Sequence, residues 1–591
     1  MNPMDKNKVT TENRSKLSTV LKYVKSYKGV ILTGGVCIVV TNSLTMVIPY
    51  IIKIILDLME NSAPMSVLLE FIYLTVALAV TAGIFRFFTR RTIIWTSRKI
   101  EYSLRSELFG HLLKLTPSFY HENRTGDIMA RSTNDLEAVR MMVGPGIMHI
   151  SNTIITLIVA IPLMLTLSPA LTMYAMIPMA LFPFIINRLS NQLYKRSVRI
   201  QEEFASLTST AQENLSGIRV VRAYSQEDAE TENFQLRSDK YMGVNMDMAR
   251  VQALFIPLVT AIAALLSLSI LYFGGVEVIE KRISLGTLVA FFAYLSMMIW
   301  PLIAIGFVIS IYQRGMASLG RINKILHTEP DVKREATANF SQPMKGKIEF
   351  RNLSFGYNGK KILNNINLTI EPGQTIGLVG QTGSGKTTLV SLLPRLFPVA
   401  DGSIFIDEVD INKWDLDSLR SQIGVAPQEP FLFSETVGAN IGFGVDSPDQ
   451  EEMLTASHTA ALDKDVSEFP KGYDTIVGER GITLSGGQKQ RTAMARAIMT
   501  GPRLLILDDA MSAVDTETED EISHRIKEVL KNCTAIIISH RMSSVKDADQ
   551  IVYLADGQII EKGTHQELMA TGGKYAETYR RQLLERELEE S

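Results

Sequence analysis

Six long apolar stretches dominate the first part of the chain, near residues 30–52, 65–87, 145–167, 170–186, 254–273 and 285–309. Each approaches or exceeds the roughly 20 residues a helix needs to cross a bilayer. The pattern therefore predicts six spans, the fourth being the shortest and expected to continue past Asn187. Ser168-Pro169 leaves room only for a turn between the third and fourth. Residues 88–144 and 187–253 are instead long and polar, with few prolines and apolar positions at helical spacing, as in Leu104, Leu108 and Leu112. Each reads as a helical hairpin. Two antiparallel helices of about 25 residues would place its tip roughly 37 Å from the membrane, near residues 119–127 and 216–226.

Charge orients these elements. The long segments carry Arg86, Arg90, Arg91, Arg98, Lys99 and Arg105, then Lys195, Arg196, Arg199, Arg219 and Arg222. Basic residues favour the cytoplasmic side, which puts the hairpins and both termini in the cytoplasm and predicts a multi-pass protein of the cell membrane. Before the first span, Leu17, Val20, Leu21 and Val24 alternate with Lys16, Lys22 and Lys25, a basic amphipathic helix suited to the inner leaflet. Lys53 and Asp57 are spaced to pair on one helix face, and Trp300-Pro301 predicts a kink or an aromatic wall in the sixth span. The polar start of the chain argues against a cleaved signal peptide.

From about Lys347 short β-rich runs replace the long apolar ones. Residues 374–379 read as a buried strand feeding Gly380-Gln381-Thr382-Gly383-Ser384-Gly385-Lys386-Thr387-Thr388. Strand, glycine-rich loop and helix in that order form a P-loop, in which backbone N–H groups and a helix N-terminus hold phosphates. Lys386 would reach the β- and γ-phosphates of ATP and Thr387 would offer its hydroxyl to Mg2+. Residues 504–508 read as a buried strand ending in Asp508, suited to holding Mg2+ through water, and Asp509 follows where a general base belongs. The expected organisation is an N-terminal tail and interfacial helix at 1–28, an all-α transmembrane domain at 29–326, a linker at 327–346 and an α/β P-loop ATPase domain at 347–591.

Taken together, the chain resembles the ATP-binding cassette (ABC) transporters, specifically bacterial half-size multidrug exporters. The resemblance is carried by the P-loop, Leu484-Ser485-Gly486-Gly487-Gln488, Asp508-Asp509, Ser512-Ala513-Val514-Asp515, Ser539-His540-Arg541 and Ala426-Pro427-Gln428, together with Tyr357 and Gly478-Glu479-Arg480-Gly481. It implies that Tyr357 stacks on adenine, that Gln428 joins Thr387 and Asp508 at Mg2+, and that His540 holds the γ-phosphate. It further implies that two cassettes close head-to-tail, with Ser485, Gly486, Gly487 and Gln488 completing the site of a second half-transporter. One residue departs from the family: Asp509 stands where a glutamate is usual. The lost methylene retracts the carboxylate, and a misplacement of about 1 Å can cost on the order of 10²-fold in rate. Since Leu484 to Gln488 are undamaged, the resemblance favours a non-identical partner with a glutamate base, and a slow site on this chain.

Composition adds exclusions. Lys and Arg nearly balance Asp and Glu, with a net charge of -2, so nucleic acid is not an expected partner. Cys37 and Cys533 lack metal-type spacing and read as buried apolar residues. Abundant methionines in the spans, such as Met164, Met173 and Met176, suit an adaptable cavity for hydrophobic or amphipathic compounds, though lipid-facing packing fits them nearly as well. Competing readings are a lipid or lipid-linked flippase, a peptide exporter, and an ATP-gated channel or sensor.

Overall fold

The computed structural model describes residues 18–332, 340–357 and 359–590, and divides them into two compact units. The first comprises the described residues up to Leu113 together with Asn123–Thr328; the second comprises Lys114–Glu122 and the described residues from Glu329 onward.

Six long helical paths build the first unit: α1 (Lys28–Glu60), α2 (Met65–Leu112), α3 (Thr125–Leu167), α4 (Pro169–Ser216), α5 (Glu227–Ile279) and α6 (Leu285–Leu326). All but α4 are long and apolar enough to cross a membrane; in α4 part of the apolar stretch has side chains outside the described residues. The helices do not stop where hydrophobicity stops. α2, α4 and α5 run on through the polar segments without a break, so span and hairpin arm are one element. Only α3 is irregular, with π-helical turns at Arg131–Asp135 and Met142–Gly146. The second contains Pro145, which cannot supply an N–H to the regular ladder. By contrast α6 continues through Pro301, so no break accompanies the expected kink.

Local chemistry explains the turns. Ser168 accepts the Leu171 N–H at 3.3 Å and Pro169 occupies the first turn, which starts α4 directly after α3. Ser284 does the same for α6 through Thr287 N–H at 3.1 Å. The loop before it holds ion pairs from Arg282 to Glu277 and Glu280, and Lys53 pairs with Asp57 at 3.2 Å along α1. Among the helices, Phe291, Tyr294, Leu171 and Ile270 are fully buried. Tyr294 donates to the Met46 carbonyl at 2.8 Å. Asn42 of α1 donates to Asn152 of α3 at 2.9 Å and accepts from Thr156 at 3.2 Å. Leu104, Leu108 and Leu112 are buried. Residues 18–26 are helical, with Lys22 and Tyr23 bonded to Glu107 of α2; Leu17 lies outside the described residues.

The second unit contains two sheets. One is antiparallel, in the order β2 (Lys360–Ile370), β1 (Ile348–Tyr357), β4 (Ile404–Ile406) and β5 (Val409–Asp410). The other runs β10 (Gln558–Gly563), β9 (Gln550–Ala555), β3 (Thr375–Gly380), β8 (Thr534–Ile538), β7 (Leu504–Asp508) and β6 (Ile423–Ala426). Its strands are parallel except β10. β7 and β8 are buried at every position, as strands covered on both faces must be. Apolar clusters lie on both faces of this sheet, one around Ile498, Leu505 and Leu507, the other around Leu392, Ile506 and Trp414. The hairpin tip Lys114–Glu122 belongs to this unit, where the Thr116 hydroxyl donates to Asp331 at 2.7 Å. Both cysteines are buried.

Replacing Asn42 by the isosteric leucine removes two inter-helix hydrogen bonds in an apolar setting. It is expected to cost about 1–2 kcal/mol, read as a lower melting temperature in lipid nanodiscs; an unchanged melting temperature would mean that the amide holds nothing together.

Candidate functional site

The site is built at the C-terminal ends of β3, β7 and β8. β3 ends at Gly380, whose φ of 146° and close approach to the Leu554 carbonyl leave no room for a side chain. The loop that follows closes at Gly385, φ 102°, where α7 (Lys386–Ser391) begins. Lys386 is buried, and its ammonium donates to the Gly380 and Gln381 carbonyls at 2.8 and 2.9 Å. The lysine is thus folded over the loop that it serves.

Asp508 ends β7 beside it and Asp509 follows, both buried. Burial pushes the Asp508 carboxyl above its ordinary value and the neighbouring Asp509 adds to this, against the Thr387 hydroxyl bonded to it, Lys386 and His540. Burial likewise pulls Lys386 below the usual lysine value, opposed by Asp508 and Asp509. Both groups are short of counter-charge from solvent, so a polyphosphate and a divalent cation would each meet an under-compensated partner.

A cavity of about 280 Å³ opens here, lined by Tyr357, Thr382, Gly383, Gly385, Lys386, Thr387, Thr388, Gln428, Asp508 and His540. Tyr357 stands at the end of β1 with its hydroxyl 3.5 Å from that of Thr388. Phe355 and Phe397 support its ring edge-on. Gln428 is exposed on the loop after β6, and His540 follows β8. Gly380 and Gln381 line an adjoining cavity that shares Thr382 and His540. The buried Ser384 hydroxyl has no hydrogen-bond partner among the described residues.

Two expected groups stand outside the lining of that cavity. Asp509 adopts a left-handed backbone, φ 49°, which aspartate tolerates better than most residues. Its own N–H donates to the Ile538 carbonyl at 2.9 Å, and its carboxylate accepts the His540 N–H at 3.4 Å. Ser485, Gly486, Gly487 and Gln488 start α8 (Gly486–Met499). Ser485 and Gln488 cap each other reciprocally at 3.0 and 3.2 Å. The Gln488 amide also donates to Asp465 at 3.0 Å. The α8 N-terminus is therefore locked while its glycines stay uncovered by side chains of their own.

One residue escaped the motif reading. Gln490, buried in the first turns of α8, donates to the Ser512 hydroxyl at 2.8 Å and accepts the Ala513 N–H at 2.8 Å. It ties α8 to the loop that leaves Asp509. A buried glutamine just after Gln488-Lys489 was the available signal, but its partners lie 22 and 23 residues away.

Residues 31–302 match the ABC transporter transmembrane region and residues 363–512 match the ABC transporter family. A probable multidrug resistance ABC transporter ATP-binding/permease protein of Bacillus subtilis, YheI, is 40% identical, over 87% of this chain and 88% of its own. The multidrug resistance-like ATP-binding protein MdlA of Escherichia coli is 34% identical over 94% of both. An ATP-dependent lipid A-core flippase of Syntrophus aciditrophicus is 33% identical over 96% of this chain and 94% of its own. Among solved structures, a bacterial Atm1-family ABC exporter with ATP bound superposes with a TM-score of 0.78 at 25% identity, covering 94% of this chain and 99% of that one. The chain belongs to the ABC transporters. It joins a multi-pass transmembrane region and an ATP-binding cassette in one polypeptide of the exporter type, and its ATP hydrolysis is coupled to transport.

Lys386→Ala is expected to weaken nucleotide binding at this site by about 10- to 100-fold, the loss of a charge-assisted contact. Fluorescent-nucleotide titration reads it, and unchanged occupancy would contradict the assignment of the loop.

Proposed function

We propose that this chain is one half of a heterodimeric exporter that moves hydrophobic or amphipathic compounds out across the cytoplasmic membrane, with its termini and cassette inside. The observation that carries the asymmetry is Asp509. Its carboxylate is one methylene shorter than the usual glutamate and is turned toward the His540 N–H. The basic hairpin arms support the orientation.

In this reading Tyr357 stacks on adenine, and the backbone N–H groups of Gly380 to Thr388 wrap the phosphates with Lys386 at the β and γ positions. The oxygen donors of Thr387, Asp508 and Gln428, gathered on one cavity, suit Mg2+. When bound, that ion neutralises charge on the β- and γ-phosphates. His540 holds the γ-phosphate, and Asp509 orients the attacking water from too far back, so this chain's site turns over slowly. Ser485, Gly486, Gly487 and Gln488 meet the nucleotide bound by a non-identical partner whose base is a glutamate. The two hairpins carry cassette closure to the membrane helices.

A flippase is the second reading, favoured by the relative of that description. Stimulation of ATPase by one lipid headgroup, without response to amphipathic drugs, would select it.

Asp509→Glu is expected to raise hydrolysis at this site about tenfold or more; no change in single-turnover rate would place the defect elsewhere. Gly487→Asp, which puts a carboxylate where γ-phosphate charge arrives, should abolish turnover of the whole transporter. Retention of full ATPase would contradict head-to-tail closure. Because the Asp508 carboxyl sits above its ordinary value, it loses its charge at a higher pH than an unperturbed aspartate of about 3.9. Mg2+-dependent tightening of ATP binding should therefore fade on acidification before that pH is reached, and Asp508→Asn should remove the step. Tightening that persists unchanged to pH 4 would contradict this role.

A further inference from the structure

His540 borders open space on two sides. It lines the cavity at the P-loop helix and also the neighbouring one between Gly380–Thr382 and the C-terminal helix α9 (Lys574–Glu590). Apolar packing therefore does not fix it. Its backbone is instead held by side chains, the Asp509 carboxylate at its N–H and one residue of α9 at its carbonyl. Gln582 donates through Nε2 to the His540 carbonyl at 2.6 Å and accepts the Met542 N–H through Oε1 at 2.9 Å. A single planar amide spans the turn and bonds both of its ends, which sets the plane of the peptide that follows His540.

The support under Gln582 is firm. The Glu561 carboxylate of β10 accepts the Lys574 and Tyr575 N–H groups at 2.6 and 3.0 Å, closing the start of α9. Tyr575 is fully buried with its hydroxyl 2.7 Å from Nδ1 of His565, and Ala576 beside it is fully buried. Two turns on, Gln582 emerges from this anchored end. On the far side of the turn, Arg541 is bonded to the buried Glu519 carboxylate, which also takes the Ser544 hydroxyl.

We propose that Gln582 is a positioning residue for His540, so that the C-terminal helix, far beyond the matched cassette region, sets the geometry of hydrolysis. This rests on the reading of His540 as the γ-phosphate contact. A purely structural amide would stabilise the turn without acting through the imidazole, and the two cases separate experimentally.

The test uses the intact transporter in lipid nanodiscs and reads this chain's own site. A photo-cross-linkable ATP analogue is incubated for timed intervals, and the ratio of cleaved to intact nucleotide attached to this chain gives a rate and an occupancy. Gln582→Ala is expected to lower the cleavage rate about tenfold, as the loss of two hydrogen bonds would, with occupancy unchanged. Gln582→Met keeps the length of the side chain, removes both bonds and should give the same loss in a protein of normal melting temperature. Combined with His540→Ala, neither should slow cleavage further. An unchanged rate in the Gln582 variants while His540→Ala slows cleavage would overturn the proposal and leave the role of His540 standing. Additive losses would overturn it likewise. A His540→Ala protein that cleaves at the normal rate would overturn both.

Discussion

One lysine and two carboxylates, buried together where β3 and β7 end, are the constraint on which the cassette depends. Removing an ion from water costs several kcal/mol even after relaxation. Lys386, Asp508 and Asp509 are buried; the ammonium and the carboxylates offset one another and the Thr387 hydroxyl helps Asp508, while the two carboxylates repel each other. The doubly covered parallel sheet presents these residues at the ends of the two strands that flank β8. The glycine-rich loop lets the lysine fold back onto two carbonyls. What remains uncompensated complements the charges of the nucleotide phosphate and metal ion proposed to bind there. The binding site is the place where the fold has left its electrostatics unfinished.

The same logic extends outward from that cluster. Asp509 leaves the strand in a left-handed turn, and its carboxylate and carbonyl contact His540 and Gln490 respectively. Through Gln490 the cluster reaches α8 and its capped N-terminus, and through the His540 turn it reaches α9. Shortening one carboxylate therefore changes the reach of the base while the scaffold around it stays intact. The proposed asymmetric transporter fits this arrangement: nucleotide would be bound well at a site that cleaves it slowly, while α8 would remain whole for the other site. In the first unit the buried Asn42 and Thr156 and the half-buried Asn152 are joined by hydrogen bonds, as polar groups in an apolar setting require.

Much of this was legible from sequence because its causes are local. A strand, a glycine loop and a lysine at the start of a helix dictate one backbone path, and residues 380–388 carry all of it. Apolar runs located the spans for the same reason. What was not legible depends on distance along the chain or on continuity. Hydropathy marks where lipid begins but not where a helix ends: the polar segments read as helical and the fourth span as passing Asn187, but the unbroken run of α2 and α5 through them had no marker. The π-helical turns of α3 leave no periodic trace beyond Pro145. Nor does composition reveal that Lys114–Glu122 joins the cassette unit. The side-chain amides of Gln490 and Gln582 hydrogen-bond backbone and hydroxyl groups of other elements, and no spacing rule marks a glutamine for that work.

The direct measurement is the mass of the intact complex, released gently from its native membrane with this 65.8 kDa chain tagged. One copy of this chain beside an unequal second half-transporter is the expected result, and it makes Asp509 the mark of the slow site in an asymmetric cycle. Two copies of this chain, hydrolysing ATP rapidly, would contradict both the heterodimer and the cost assigned to the missing methylene.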